Sequence, residues 1–313
     1  MNRKDCKIVF MGTPQFAVPT LDQLRTAGYT VVGVITATDK LGGRGGKKRI
    51  VSPVKQYAIE HGLHILQPKN LKSPSFLEEL RSLEADLQVV VAFRMLPELV
   101  WAMPPKGTIN LHASLLPKYR GAAPINWAII NGETETGLTT FFIQKEIDTG
   151  NLLLQERLSI GMNETAGDVH DRMKYTGANL IVRTVEGVLD GSITPAVQDH
   201  SQATKAPKIF HDMCKIDFSR QSVEVHNFIR GLSPHPGAWT RLDGQQLKIL
   251  KARPFKEETG ADPGRIIIRD RKQMLIGTTE GAVEVLDLQL QGKKRMDIRS
   301  FLNGYSPQVL SVS

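Results

Sequence analysis

An asparagine and a histidine lie two residues apart at the end of an apolar run in INLHASLLPKYRGAAPINW, residues 109–127. Residues i and i+2 of a β-strand point to the same face, so Asn110 and His112 are expected to share one crevice. The loop QKEIDTG supplies a carboxylate, Asp148, beside a glycine that permits a tight turn. An amide donor, an imidazole and an orienting carboxylate suit acyl transfer. A purely structural histidine is the alternative on these residues alone.

Two glycine-containing loops near the N-terminus are less specific indicators of function. The turn FMGTPQFAVP has one glycine where a dinucleotide fingerprint needs three, and Pro14 lies inside it, which excludes an NAD-dependent oxidoreductase. The loop TDKLGGRGGKKRIV, residues 38–51, lacks the Gly-Lys-Ser/Thr ending of a P-loop. Its cations and flexible glycines suit an extended polyanion, with a solvated loop as the alternative.

Short apolar runs alternate with helical patterns in the first half of the chain. Strands are predicted at 7–12, 30–36, 85–93 and 107–113, with a further pair at 135–143 and 150–160. Helices are predicted at 16–28, around 53–61, 75–84 and 165–189. This alternation indicates an α/β protein with a parallel sheet covered on both faces. Ligands bind beyond the carboxyl ends of such strands, here the loops after residues 12, 36, 92 and 112.

The pattern changes near residue 205. Residues 195–215 lack clean periodicity and are interpreted as a linker. Short strands broken by turn residues follow, and leucines at 286, 288 and 290 alternate with polar residues. These features predict a small all-β barrel. We therefore expect two domains, 1–204 and 205–313.

Charge is distributed unevenly along the 313 residues, of which 41% are hydrophobic. Residues 205–313 hold 18 Lys and Arg against 12 Asp and Glu, whereas residues 1–204 hold 22 against 20. This asymmetry favours a polyanionic partner, nucleic acid ahead of membrane, although a merely soluble basic surface is the alternative. Isolated Cys6 and Cys214, and the lack of any long apolar run, predict a cytoplasmic protein without disulfides or zinc. A monomer is expected.

The segment from residue 109 to residue 153 resembles the signature of the folate-dependent formyltransferases. Their pattern combines Asn-x-His, Ser-Leu-Leu-Pro-x-aromatic-Arg-Gly and a later Asp-Thr-Gly, all present here. The stretches IVFMGTPQFAVPTL, GGRGGKKRIVSPVK and LSPHPGAW narrow the likeness to the members that act on methionyl-tRNA. The resemblance covers nearly the whole chain. It implies a Rossmann-like formyltransferase domain followed by an OB-like β-barrel domain that binds tRNA.

The resemblance also implies an activity and its residues. The formyl group of 10-formyltetrahydrofolate, a co-substrate, would pass to the α-amine of methionyl initiator tRNA for translation initiation, without a metal. Asn110, His112 and Asp148 correspond to the catalytic trio. Folate binding is implied for the turn Ser114, Leu115, Leu116 and Pro117 and for Phe93, Arg94, Met95 and Leu96. Contacts with tRNA are implied for Arg44, Lys47, Lys48, Lys205 and Lys208.

Several rival functions use the same trio or none of it. A formyltransferase acting on glycinamide ribonucleotide is disfavoured by the basic β domain, and one acting on an amino sugar by the lack of a dehydrogenase domain. A hydrolase of 10-formyltetrahydrofolate usually carries a different N-terminal module. A non-catalytic protein that binds tRNA or folate would not need Asn110, His112 and Asp148.

Overall fold

The computed structural model describes residues 3–42, 48–255, 257 and 259–313, and the chain forms two compact units. The first unit consists of Met1–Gly121, Gly137–Leu158 and His170–Lys205. The second consists of Ala122–Thr136, Ser159–Val169 and Ala206–Ser313. Both units are therefore discontinuous in sequence. The domain boundary at residues 204 and 205 and the linker over 195–215 stay predictions.

A mostly parallel sheet forms the centre of the first unit. The strands, in chain order, are β1 (Lys7–Gly12), β2 (Thr30–Ile35), β3 (Lys40–Gly42), β4 (Lys48–Ile50), β5 (Ile65–Leu66), β6 (Leu87–Val91), β7 (Thr108–His112), β8 (Glu135–Phe142) and β9 (Leu152–Ser159). Strands β3 and β4 pair with each other, and the others form one sheet in the order β5-β2-β1-β6-β7-β8-β9. Pairing is parallel from β5 through β7 and antiparallel between β7 and β8. The predicted α/β class is confirmed.

Helices connect these strands. They are α1 (Val18–Thr26), α2 (Pro53–Glu60), α3 (Pro74–Ser82), α4 (Glu98–Trp101), α5 (Pro124–Ile130) and α6 (Ala166–Asp190). Proline stands in the first turn of α1, α2, α3 and α5, where its missing N–H costs no hydrogen bond. The helix predicted at 16–28 begins instead with a 3₁₀ turn, Gln15–Ala17. No helix in the described part of the chain is long and apolar enough to span a bilayer.

The strands of the first sheet are buried on both faces, which confirms the prediction made from their continuous apolar runs. In β1, Ile8 and Phe10 point to one face and Val9 and Met11 to the other, and all four are fully buried. Every residue of β6 is buried. A parallel sheet with both faces covered leaves its loops as the open surface for ligands.

An antiparallel sheet forms most of the second unit, as predicted. Besides α5, which lies within Ala122–Thr136, the elements of this unit are α7 (Ser222–Gly231), β10 (Ala238–Leu242), β11 (Gln245–Phe255), β12 (Ile266–Arg269), β13 (Gln273–Gly277), β14 (Ala282–Leu290), β15 (Met296–Asp297) and α8 (Ile298–Gly304). The strand order is β10-β11-β14-β13-β12, with β15 beside β14. Apolar residues of α7, α8 and the strands share one core. Both helices are missing from the prediction because each is short and lies among strand signals.

The last residues connect the two edge strands of this sheet. On the β12 side, Ile266 N donates to Leu310 O at 2.8 Å and Val312 N to Gly264 O at 2.9 Å. On the β10 side, Arg241 and Ser313 exchange two backbone hydrogen bonds of 3.0 and 3.2 Å. The short C-terminal segment thus forms hydrogen bonds with backbone groups of both edge strands, as closure of a small barrel requires.

Candidate functional site

The carboxyl end of β7 presents Asn110 and His112 on one face, because they alternate with Leu111. Leu111 faces α6, where a Cβ on Gly177 would come within 2.6 Å of the leucine side chain. Glycine at 177 therefore lets α6 pack closely behind the strand. His112 is buried and Asn110 half-buried. Among the described residues, none forms a hydrogen bond with the Asn110 side chain, so its amide is available to a ligand.

The two ring nitrogens of His112 have different neighbours. Nε2 lies 2.8 Å from the backbone oxygen of Tyr119, and Nδ1 lies 3.7 Å from Oδ2 of Asp148. A carbonyl oxygen can only accept a hydrogen bond, so Nε2 carries a hydrogen and donates it. Nδ1 is consequently the nitrogen that can take up or release a proton.

Asp148 is held in a constrained loop. Its φ of +56° lies in the left-handed region, and its Oδ2 accepts a hydrogen bond of 2.8 Å from Gly121 N. Two residues later, a Cβ on Gly150 would lie 1.7 Å from the Phe142 carbonyl oxygen, so only glycine fits there. The 3.7 Å separation between His112 Nδ1 and Asp148 Oδ2 exceeds a hydrogen bond, so the carboxylate can act on an imidazolium only through space, as a charge.

The turn formed by residues 114–117 is fastened from strand β8. Thr139, which pairs with His112 in register, is fully buried. Its hydroxyl donates to Ser114 O at 2.6 Å and accepts from Leu116 N at 3.1 Å. Gln155 Nε2 donates both to the Leu116 oxygen and to the Thr139 hydroxyl. These bonds fix the path of the turn beside His112.

Thr139 and Gln155 are missing from the sequence-based prediction. Neither belongs to a motif, and the only signal that leads to Thr139 is the register of β8 against β7. Gln198, which contacts the Asp148 loop, is also missing from the prediction, because it belongs to no motif and lies in a segment interpreted as a linker. Positioning groups of this kind become visible only when the strands and loops are assembled.

The residues predicted to line the pterin pocket follow β6 and differ in environment. Phe93 is half-buried and Leu96 is buried, and both pack with the core cluster of the sheet. Arg94 is exposed and donates to the backbone oxygens of residues 68 and 69. Met95 is 75% exposed. The loop therefore offers Met95 and the exposed part of the half-buried Phe93 as accessible apolar surface.

The predicted tRNA contacts lie on several segments. Arg44 and Lys47 fall outside the described residues. Lys48, Lys205 and Lys208 are all exposed. Lys208 Nζ lies 5.3 Å from the centre of the Phe210 ring, a cation–π arrangement on an exposed aromatic.

The base of the cationic loop is anchored by a buried carboxylate. Asp39 accepts from Lys55 Nζ at 2.7 and 2.9 Å, from Gln67 Nε2 at 2.9 Å, and from Arg49 of β4. The hydrogen bonds from Gln67 and Lys55 lower the pKa of Asp39 to about 2. The hairpin β3–β4 is thereby tied to α2 and to the end of β5.

Neither a grouped set of metal ligands nor an exposed thiol is found among the described residues. In the part of the chain that the structure describes, no three His, Cys, Asp or Glu side chains are grouped to hold a metal. Cys6 and Cys214 are both buried and free. Burial raises the pKa of Cys6 to about 11, which makes its thiolate scarce at neutral pH.

Two family models together match most of the chain. Residues 6–185 match the model described as formyl transferase, and residues 208–306 match formyl transferase, C-terminal domain. Each match covers one of the two patterns that the sequence predicts, the α/β half and the β half.

Curated relatives share about half of the residues. A methionyl-tRNA formyltransferase of Parabacteroides distasonis is 50% identical over 97% of each chain. One from Porphyromonas gingivalis W83 is 50% identical over 98% of each, and one from Flavobacterium johnsoniae 48% over 95% of this chain and 96% of the relative.

Solved structures share the fold at lower identity. An N-formyltransferase from Helicobacter canadensis, in complex with folinic acid and dTDP-3-aminofucose, superposes with a TM-score of 0.69 at 21% identity, over 93% of this chain and 100% of that one. HypX from Aquifex aeolicus in complex with tetrahydrofolic acid superposes with a TM-score of 0.65 at 17% identity. The match covers 94% of this chain and 46% of the HypX chain. With both family models matched and near full-length relatives at about 50% identity, the chain belongs to the formyl transferase family.

Proposed function

We propose that this protein transfers the formyl group of 10-formyltetrahydrofolate to the α-amine of methionine esterified to initiator tRNA. The observation that supports the chemistry is the convergence of Asn110, His112 and Asp148 at one end of the sheet. The near full-length identity with proteins named methionyl-tRNA formyltransferases supports the choice of acceptor. The enzyme would act as a cytoplasmic monomer in translation initiation.

The reaction exchanges one carbon–nitrogen bond for another. The amine attacks the formyl carbon, negative charge develops on the formyl oxygen, and the bond to N10 of the folate then breaks. The Asn110 amide would donate a hydrogen bond to that oxygen, a contribution usually worth about 10²–10³ in rate. The amine loses one proton in this exchange and N10 gains one.

His112 is the group best placed to move that proton. Its Nε2 hydrogen is engaged by Tyr119, so Nδ1 would accept the proton from the attacking amine and pass it to N10. The charge of Asp148, 3.7 Å from Nδ1, stabilises the imidazolium formed in between.

Substrate binding would use the surrounding loops. The anchored turn Ser114–Pro117 presents backbone groups to the flat pterin ring, and residues 93–96 contribute apolar surface. The tRNA would contact the cationic loop through Arg44, Lys47 and Lys48, and the basic β domain and its approach through Lys205 and Lys208.

The experiment is an acceptor comparison. Formyl transfer from 10-formyltetrahydrofolate is measured with methionyl initiator tRNA, methionyl elongator tRNA, glycinamide ribonucleotide and a dTDP-amino sugar. We expect transfer to the initiator tRNA only. Transfer to a small amine instead would keep the chemistry and reject the tRNA acceptor, and no transfer at all would reject the enzymatic role.

A further inference from the structure

Gln198 bridges the two loops that hold His112 and Asp148. Its Nε2 donates to the backbone oxygens of Asp148 at 3.0 Å and Gly150 at 2.8 Å. Its Oε1 accepts from Arg120 Nε at 3.2 Å and Nη2 at 2.6 Å. The side chain is 3% exposed, and all its donors and acceptors are used.

Only one orientation of the Gln198 amide allows all four of these hydrogen bonds. Two carbonyl oxygens face one end of the amide and a guanidinium faces the other. Reversing the amide would set oxygen against the two carbonyls and an NH₂ group against a cation that only donates. Gln198 is therefore specified by chemistry at both ends, which neither glutamate nor an apolar residue can reproduce.

The segment that carries Gln198 is itself fastened at both ends. Ala196 and Leu152 exchange backbone hydrogen bonds of 2.7 and 2.9 Å. Thr204 accepts from Arg120 N through its backbone oxygen at 2.9 Å and from Tyr119 N through its hydroxyl at 2.8 Å. The segment 196–204 thus runs as a strap across the loop that ends at Gly121 and the loop that contains Asp148.

Both loops reach the His112 ring directly. Tyr119 O binds Nε2 and Asp148 Oδ2 faces Nδ1, while Gly121 N binds the same Oδ2. Arg120 lies between the two residues that make these contacts. A side chain that joins Arg120 to the Asp148 backbone therefore sets the distance between the proton-exchanging nitrogen and its carboxylate.

We propose that Gln198 is a positioning residue for formyl transfer, which holds Asp148 against the imidazole of His112. The proposal rests on the proposed function for its kinetic consequence. Its structural consequence, the environment of the His112 ring, can be measured in the free protein. Gln198 contacts neither reacting group, and its effect passes through Asp148 and Arg120.

The test compares Gln198→Glu and Gln198→Ala with Gln202→Ala, which changes an exposed residue of the same strap. Gln198→Glu keeps the shape and the Arg120 contact, but it replaces the two hydrogen bonds to the Asp148 loop by a charged carboxylate oxygen that faces the Asp148 and Gly150 carbonyls. Gln198→Ala removes the same two hydrogen bonds without adding a charge. We expect kcat to fall about 10- to 100-fold in both Gln198 variants, as displacements near 1 Å do, with little change in either KM. Gln202→Ala should match the wild type.

Histidine ring ¹⁵N–¹H spectra of the free protein supply the second readout. The His112 signals, assigned by their loss in His112→Ala, should shift in both Gln198 variants and stay in place in Gln202→Ala. Unchanged His112 signals together with wild-type kcat in Gln198→Glu would overturn the proposal. So would a loss of kcat that follows only a lowered unfolding temperature, with the His112 signals unmoved. If the wild-type protein transfers no formyl group, the proposed function fails, and the spectra still decide the positioning.

Discussion

Tyr119 and Asp148 hold the two nitrogens of the His112 ring by different means. The Tyr119 carbonyl removes Nε2 from proton exchange, and Asp148 offers Nδ1 a negative charge without a direct hydrogen bond. The ring is therefore oriented before any substrate binds. Preorganisation of this kind is what makes a buried polar group effective in catalysis, because no reorganisation is needed during the reaction.

Replacing Asp148 by asparagine tests the charge alone. Asparagine keeps the size, tolerates a φ of +56°, and can still accept from Gly121 N. We expect kcat for formyl transfer to fall by about 10²–10⁴, because the imidazolium loses its stabilising partner. Tetrahydrofolate affinity, measured by titration, should change little.

Asp171→Asn is the matched control, since that carboxylate lies on the exposed side of α6 and pairs with Lys174. Its kcat should equal that of the wild type. Loss of folate binding in parallel with activity in Asp148→Asn would contradict the assigned role.

Thr139→Val tests the anchoring of the turn Ser114–Pro117, which we propose to contact folate. Valine has nearly the same shape but lacks the hydroxyl that contacts Ser114, Leu116 and Gln155. Leaving buried backbone groups unpaired costs about 1–3 kcal/mol each. We expect tetrahydrofolate to bind roughly 10-fold more weakly, measured by isothermal titration, because the turn is no longer fixed.

Thr136→Val on the same strand is the control. Thr136 Oγ1 is buried and has no hydrogen-bond partner among the described residues, so valine should be neutral or stabilising. Equal folate affinity in the wild type and in Thr139→Val would show that the turn keeps its path without the threonine.

At the scale of elements, a single carboxylate secures the segment that closes the β domain. Asp243, in the turn between β10 and β11, accepts from the Tyr305 hydroxyl at 2.6 Å and from the backbone N–H groups of Gln308 and Val309, both at 3.0 Å. The Tyr305 hydrogen bond is the largest cause that lowers the pKa of Asp243. Burial, followed by the Asp243 contact, raises the pKa of Tyr305 to about 12.

These shifts predict opposite pH limits for the closure. The Asp243 carboxylate stabilises the fold fully above its unfolded pKa of about 3.9, and this stability is lost as pH falls through the lower folded value. Tyr305 stabilises the fold below about 10, and its contribution is lost as pH rises toward about 12.

Asp243→Asn should therefore lower the unfolding temperature at pH 7 by roughly 2–4 °C, with the difference from the wild type shrinking below pH 4. Calorimetry from pH 3 to 8 measures it. Asp270→Asn is a matched control, because Asp270 has a similar positive φ and is exposed. A constant difference across the whole pH range would rule out the carboxylate as the cause.

At the scale of the whole molecule, the charge asymmetry has a direct consequence for tRNA binding. The net charge of +8 is concentrated in residues 205–313 and in the cationic loop. Lysines and arginines that neutralise phosphates release counterions, so binding weakens as salt rises.

We expect the logarithm of the tRNA association constant to fall linearly with the logarithm of salt concentration. Each neutralised phosphate adds about 0.7–0.9 to the slope, which Lys208→Ala should reduce by roughly one such step. Fluorescence titration from low to moderate salt measures the slope, and tetrahydrofolate binding under the same conditions is the control. A tRNA affinity independent of salt would contradict the basic surface as the binding site.

The sequence by itself determined the architecture, and its resemblance to the folate-dependent formyltransferases implied the chemistry. Continuous apolar runs specify buried parallel strands because both faces must be covered, and the period of two in a strand places Asn110 beside His112. The Asp148 loop and the change of pattern near residue 205 are equally local features. Hydrophobic periodicity and short motifs can be read without knowing what lies across the sheet.

Tertiary structure alone decided how the site is held. Which His112 nitrogen exchanges a proton depends on Tyr119, seven residues later, and the support of Asp148 depends on Gln198, 50 residues away. The closure of the β domain likewise joins Asp243 to residues more than 60 positions later. Hydrogen bonds between distant segments leave no periodic trace in a sequence, because each requires only a donor and an acceptor that the fold brings within 3 Å.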